Sequence, residues 1–182
     1  YFKKLICYKI LFRETDYTVK SSEWYGSYKA NIVAYTLSKL FDIIEKRYKD
    51  KSINFNYIWK NQNISPAMRK QLKVLTKSTH DYLVDDTRDV QNVTEWAKRT
   101  NCWDRFKMMP FPLEEDFITE LVLTSDLIAE GPNTMEWTED QAMIEVSNID
   151  KSLWNNLKSW SINHRVLTQK ELDFVDCAIK IH

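Results

Sequence analysis

This chain is poorly equipped to turn tightly. Its 182 residues include two glycines and four prolines, and no Asn-Gly or Asp-Gly pair joins two alternating apolar runs. Two-residue hairpin loops require positive φ at their central positions, and those pairs are what supply it. The shortage argues against a sheet-rich fold and predicts an all-α, multi-helix bundle of about seven to nine helices, with room for two packed subdomains.

Helical periodicity fills in the expectation. Phe2, Leu5, Ile6, Ile10 and Leu11 cover most of the circumference of a first helix, which should be buried while Lys3, Lys4, Lys9 and Arg13 reach water along their stems. Residues 27–48 carry two apolar stripes, one of Val33, Leu37, Leu40, Phe41, Ile44 and Tyr48 and the other of Tyr28, Ile32 and Tyr35, which marks a central helix. A short apolar segment, INFNYIWKNQ, precedes Ser65-Pro66, a cap and first-turn pair that should open a helix reaching Leu83. Met68, Leu72, Leu75, Thr79 and Leu83 form its inward face.

The polar run DDTRDVQ reads as a loop. Asn92 and Glu95 resemble a capping box opening one helix over 92–107, with Trp96 and Trp103 two turns apart on a shared face. Further helical pieces are expected near 114–129, 139–147 and 151–163, and Thr168 with Glu171 should cap a final helix.

Net charge is zero but unevenly spread. Residues 1–110 hold 21 Lys and Arg against 12 Asp and Glu, a balance of +9; residues 111–182 hold 5 against 14, a balance of −9. With Pro110 and Pro112 marking the change, the expected division is a basic subdomain over 1–109 and an acidic one over 110–182. Two readings follow: the basic part meets an anionic partner, DNA or RNA, or the two parts hold each other or another subunit, a homo-oligomer included.

Catalytic signals are missing. His80, His164 and His182 are isolated, Cys7, Cys102 and Cys177 are too scattered for a zinc pattern, and no glycine-rich phosphate loop occurs. No catalytic residue, metal ligand or cofactor is therefore assigned. No apolar run is long enough to cross a bilayer, so membrane association is not expected, and three reduced thiols suit the cytoplasm. The chain opens on YFKKLICYKILF without an initiating methionine, as a piece of a longer protein would.

Nucleic-acid binding is the best supported chemistry. Arg69, Lys73 and Lys77 recur every fourth residue, which on a helix sets cations about 6 Å apart, near phosphate spacing. Lys70 lies alongside, and Lys98, Arg99 and Arg105 share a segment with two tryptophans, a combination suited to a single strand with stacked bases. Trp24 and Tyr25 precede the central helix and are not fixed by its period, so they are candidates for stacking on a ligand, with Lys29 one turn on; packing at the helix entry is the alternative. For the remaining features the alternative is a solvated charged face over core tryptophans.

Several segments resemble a known family. EWYGSYKANIVAYTLSKL, YIWKNQNISPAM and NVTEWAKRTNCWDRFK, followed by SLWNNLKSWSINHRVLTQKELDFVDCA, are similar to the C-terminal region of AIPR proteins, a bacterial family associated with abortive infection and phage resistance. The resemblance implies a phage-defence context and a helical tail joined to an N-terminal remainder. By analogy with other defence proteins, any nuclease site would lie in that remainder. It transfers no catalytic residue to a numbered position here.

Overall fold

The computed structural model describes residues 2–24, 26–85, 90–128 and 139–181. The chain divides into two compact units, Tyr1–Leu127 and Ile128–His182. Helices dominate both.

In the first unit α1 (Phe2–Lys20), α2 (Lys29–Arg47) and α4 (Pro66–Val84) pack against one another. Ile6, Ile10, Leu11, Ile32, Leu40, Leu72 and Leu75 fill the space between them and are closed to solvent. The expected inward face of α4 is found as read, since Met68, Leu72, Leu75, Thr79 and Leu83 are all buried. α4 begins where Ser65 accepts a hydrogen bond from the Met68 amide at 3.0 Å and Pro66 takes the first turn, so two of the usual orphan donors are removed or satisfied. Asn54 opens α3 (Phe55–Asn61) by accepting from the Tyr57 amide at 2.9 Å, and Gln62 closes it in the left-handed region at φ 49°.

Two short elements correct the helical reading. The segment expected as one helix over 92–107 is two, α5 (Val93–Ala97) and α6 (Thr100–Met108), because Arg99 adopts extended backbone between them. Asn92 does cap the first, accepting from the Thr94 and Glu95 amides. Likewise the piece expected near 114–129 is α7 (Glu115–Thr119), a two-residue strand β2 (Val122–Leu123) and α8 (Thr124–Ile128). β2 pairs antiparallel with β1 (Lys51–Ser52), joining Lys51 to Leu123 and Ser52 to Val122.

The composition change at residue 110 falls inside this first unit. Leu113, Phe117 and Leu121 are buried, and α7 packs on α4. Lys39, on α2, anchors the chain just before: its buried ammonium donates to the carbonyls of Phe106, Lys107 and Met109 at the C-terminal end of α6. Burial lowers its pKa, and the neighbouring Asp42 only partly opposes that.

The second unit contains α9 (Glu139–Ser147), α10 (Lys151–His164) and α11 (Gln169–Ile181). Among the described residues Val146, Trp154, Leu157, Leu167, Val175 and Ala178 are its buried apolar residues, with Ser161 buried beside them. Asp150 caps α10 through the Ser152 amide at 2.7 Å. The capping box read at Thr168 and Glu171 forms in both directions, with the Thr168 amide donating to Glu171 and the Glu171 amide to the Thr168 hydroxyl.

Candidate nucleic-acid interface

The cations proposed from sequence fall into separate neighbourhoods. Arg69, Lys70 and Lys73, on the first two turns of α4, line one open groove of about 710 Å³ together with Tyr57, Asn61, Asn63, Ile64 and Pro66. The helical repeat brings Arg69 and Lys73 to one wall, and the turn at Gln62 folds the end of α3 back as the other.

The three cations differ in how they are held. Arg69 reaches inward to Glu14 of α1 and donates to Asn63 at 2.8 Å, so it is half-buried and held. Burial alone would raise the Glu14 carboxyl, but hydrogen bonds and charge from Arg69 and Arg13 outweigh it and leave the pKa below the usual range. Lys70 pairs with Glu114 at 2.6 Å, and that carboxylate raises the pKa of the lysine. Lys73 is exposed and carries no ion pair among the described residues. Opposite them, Tyr57 is 40% exposed and stacks on no other ring among the described residues.

Lys77 lies a turn beyond the groove and donates to Asp81 at 2.7 Å, which holds that carboxyl below its ordinary pKa. Lys77 itself is exposed, but the ring of His80, one turn further along α4, is covered. Trp24 lies flat against His80, with centroids 4.3 Å apart and planes 11° from parallel. One face of Trp24 is thus covered by the protein itself, and the ring also packs against the core. Tyr25 lies outside the described residues. Gly26, at φ 146°, has no room for a Cβ, which would run into the Tyr28 ring. Lys29 begins α2 and is partly exposed.

Lys98, Arg99 and Arg105 form the remaining neighbourhood, around α5 and α6. Lys98 is exposed and bound to Glu95 at 2.7 Å, Arg99 is exposed, and Arg105 lies 5.6 Å over the Trp96 ring. The two tryptophans expected beside these cations are packed inward. Trp96 is buried, and Trp103 meets Tyr35 edge-on at 5.4 Å. Tyr35 in turn donates to the Ala97 carbonyl, and burial raises its pKa well above that of a free phenol.

Sequence reasoning did not single out Tyr57, Asn61 and Asn63, which line the groove with the α4 cations. The signal was an Asn-x-Asn pair following an aromatic helix end, just before the Ser-Pro start of a basic helix. Among the described residues no helix is long and apolar enough to cross a membrane.

Comparison with curated proteins and with solved structures finds no match. The family model described as AIPR protein matches residues 1–87. That span contains the WYGSYKAN and YIWKNQNISPAM segments, while NVTEWAK and the closing SLWNNLKSW segment fall beyond it. Over residues 1–87 this chain is similar to the AIPR family, and every residue of the α4 groove lies within that similarity.

Proposed function

We propose that this chain is a helical, non-catalytic, C-terminal region of an AIPR-like phage-defence protein and binds nucleic acid through the basic face of α4. The observation that carries the reading is the convergence of Arg69, Lys70 and Lys73 on one open groove beside an exposed tyrosine. Phosphates are bound by rows of Lys and Arg that release condensed counterions, and a groove that keeps water access at its lysines suits that exchange. Anisotropy titration of a labelled oligonucleotide at about 50 and about 200 mM salt tests the proposal, with affinity expected to fall steeply between the two. Lys70→Glu with Lys73→Glu should weaken binding at least about tenfold and flatten the salt dependence by roughly one unit of slope per lost contact. Absence of binding at the lower salt would remove the reading.

A second reading rests on the Lys70–Glu114 pair. Glu114 comes from the acidic stretch that follows residue 110, and its carboxylate occupies a groove cation at 2.6 Å. A region whose own acidic segment competes for the groove would act as an autoinhibitory or subunit-binding module. In the same titration Glu114→Gln should then tighten oligonucleotide binding, whereas a purely structural pair would leave it unchanged.

A further inference from the structure

The groove at the start of α4 offers more than positive charge. Asn61 donates its Nδ2 to the Tyr57 carbonyl at 2.8 Å, which leaves its Oδ1 as an acceptor. Asn63 does the reverse: its Oδ1 accepts from the Ile64 amide at 2.9 Å and from Arg69 at 2.8 Å, which leaves its Nδ2 as a donor. Each amide is oriented by bonds already made within the protein. Between them the groove presents one acceptor and one donor on fixed supports, next to a phenol ring without an aromatic partner.

We infer that the groove takes an unpaired nucleotide of a single strand, with its base against Tyr57, its edge read by Asn61 and Asn63, and its flanking phosphates on Lys70 and Lys73. The inference rests on the nucleic-acid reading above and names the form of nucleic acid. A base within a duplex has both faces stacked and its pairing edge in use, so Tyr57 and the two amides have nothing to engage there. An extruded or single-stranded base offers both a face and an edge with a donor next to an acceptor. The groove is open to solvent, and its volume of about 710 Å³ leaves room for a nucleotide to lie along it. Ile64, buried at the base, and Pro66 supply apolar contact for the ring. Near the other candidate cations the described rings are used: Trp24 lies on His80, and Trp96 is buried beneath Arg105. Among the described residues Tyr57 is an exposed aromatic that lines the same groove as the unpaired Lys73.

The test uses the 182-residue chain with labelled single-stranded DNA, single-stranded RNA and a DNA duplex of the same sequence, followed by anisotropy at low salt. At least one single strand should bind about tenfold or more tightly than the duplex. Tyr57→Ala should weaken single-strand binding about 5- to 100-fold, the loss expected of one stacked base, and Tyr57→Phe should retain it. Duplex affinity should be indifferent to both substitutions. Circular dichroism confirms that the variants fold, which the exposure of Tyr57 favours. Equal affinity for strand and duplex, or no effect of Tyr57→Ala, overturns the single-strand inference; if Lys73→Glu still weakens both ligands, the broader reading stands. No binding of any oligonucleotide by the parent chain overturns both.

Discussion

At its N-terminal end α4 borders a groove where lysines and a tyrosine stand open to water; at its C-terminal end the same helix enters a cluster whose described rings are packed against one another. Tyr82, on the last turn, lies tilted against Phe106 with ring centroids 5.0 Å apart and donates to the Cys102 carbonyl at 2.8 Å. Tyr35, Trp96 and Trp103 complete the set, and Arg105 covers Trp96 from outside. Cations lie beside aromatics at both ends. Only where the ring stays outside the core can a base reach it, so proximity of the two residue types in sequence separates a binding surface from a capped core poorly.

The strongest way to break this contrast is to remove one ring from each end. Trp96→Ala should cost about 3–5 kcal/mol, because a large buried ring leaves a cavity that its surroundings fill only in part. Tyr57→Ala, at a surface position, should cost less than about 1 kcal/mol while carrying the loss of oligonucleotide binding described above. Urea denaturation of both variants measures the difference. Comparable losses of stability would mean that Tyr57 belongs to the fold and that the two ends are alike.

What could be read in advance follows the same division. The inward face of α4 and its Ser65-Pro66 start were legible because helical period and capping are local, and both appear at the expected residues. The break between α5 and α6 was not. Nothing in a continuous run from Asn92 to Lys107 signals that Arg99 turns extended, and it is packing that rewards the break by admitting both Trp96 and Trp103 to one cluster. The β1–β2 pair joins residues far apart in sequence, which no local pattern encodes. At the groove the missing information was conformational. Gln62 adopts positive φ, the chain reverses, and Asn63 reaches Arg69; a polar loop without period carries no sign of this.

Acid sensitivity sharpens the contrast at the groove end, where a buried charge holds the wall in place. Glu14 is closed to solvent, and its two arginine partners keep its folded pKa below the ordinary value of 4.5. A carboxyl depressed on folding contributes stability at pH values above its unfolded pKa, and that contribution is lost as pH falls through the folded pKa. Glu14→Gln should therefore lower stability near pH 7 by about 1–2 kcal/mol, discounted because both arginines remain partly exposed. Below the folded pKa variant and parent should converge. Urea midpoints taken from about pH 7 to about pH 3 test the sign, and a gap that stays constant across that range would show that charge at Glu14 is not what holds Arg69.

The smallest expected effect belongs to Lys77, which stands between the two ends. Its pair with Asp81 is a one-turn contact between side chains 71% and 54% exposed, in the less favourable order for a helix. Lys77→Ala should shift stability by no more than a few tenths of a kcal/mol. Oligonucleotide affinity should also fall only slightly, about threefold or less: Lys77 is about 6 Å along the axis from Lys73, inside a Debye length at moderate salt, but it does not line the groove and Asp81 already neutralises it. Lys73→Ala measured beside it supplies the scale. If the two substitutions weaken binding equally, phosphates run the whole length of α4, the stretch beside Trp24 and His80 is part of the same surface, and the separation of an open end from a closed one does not hold.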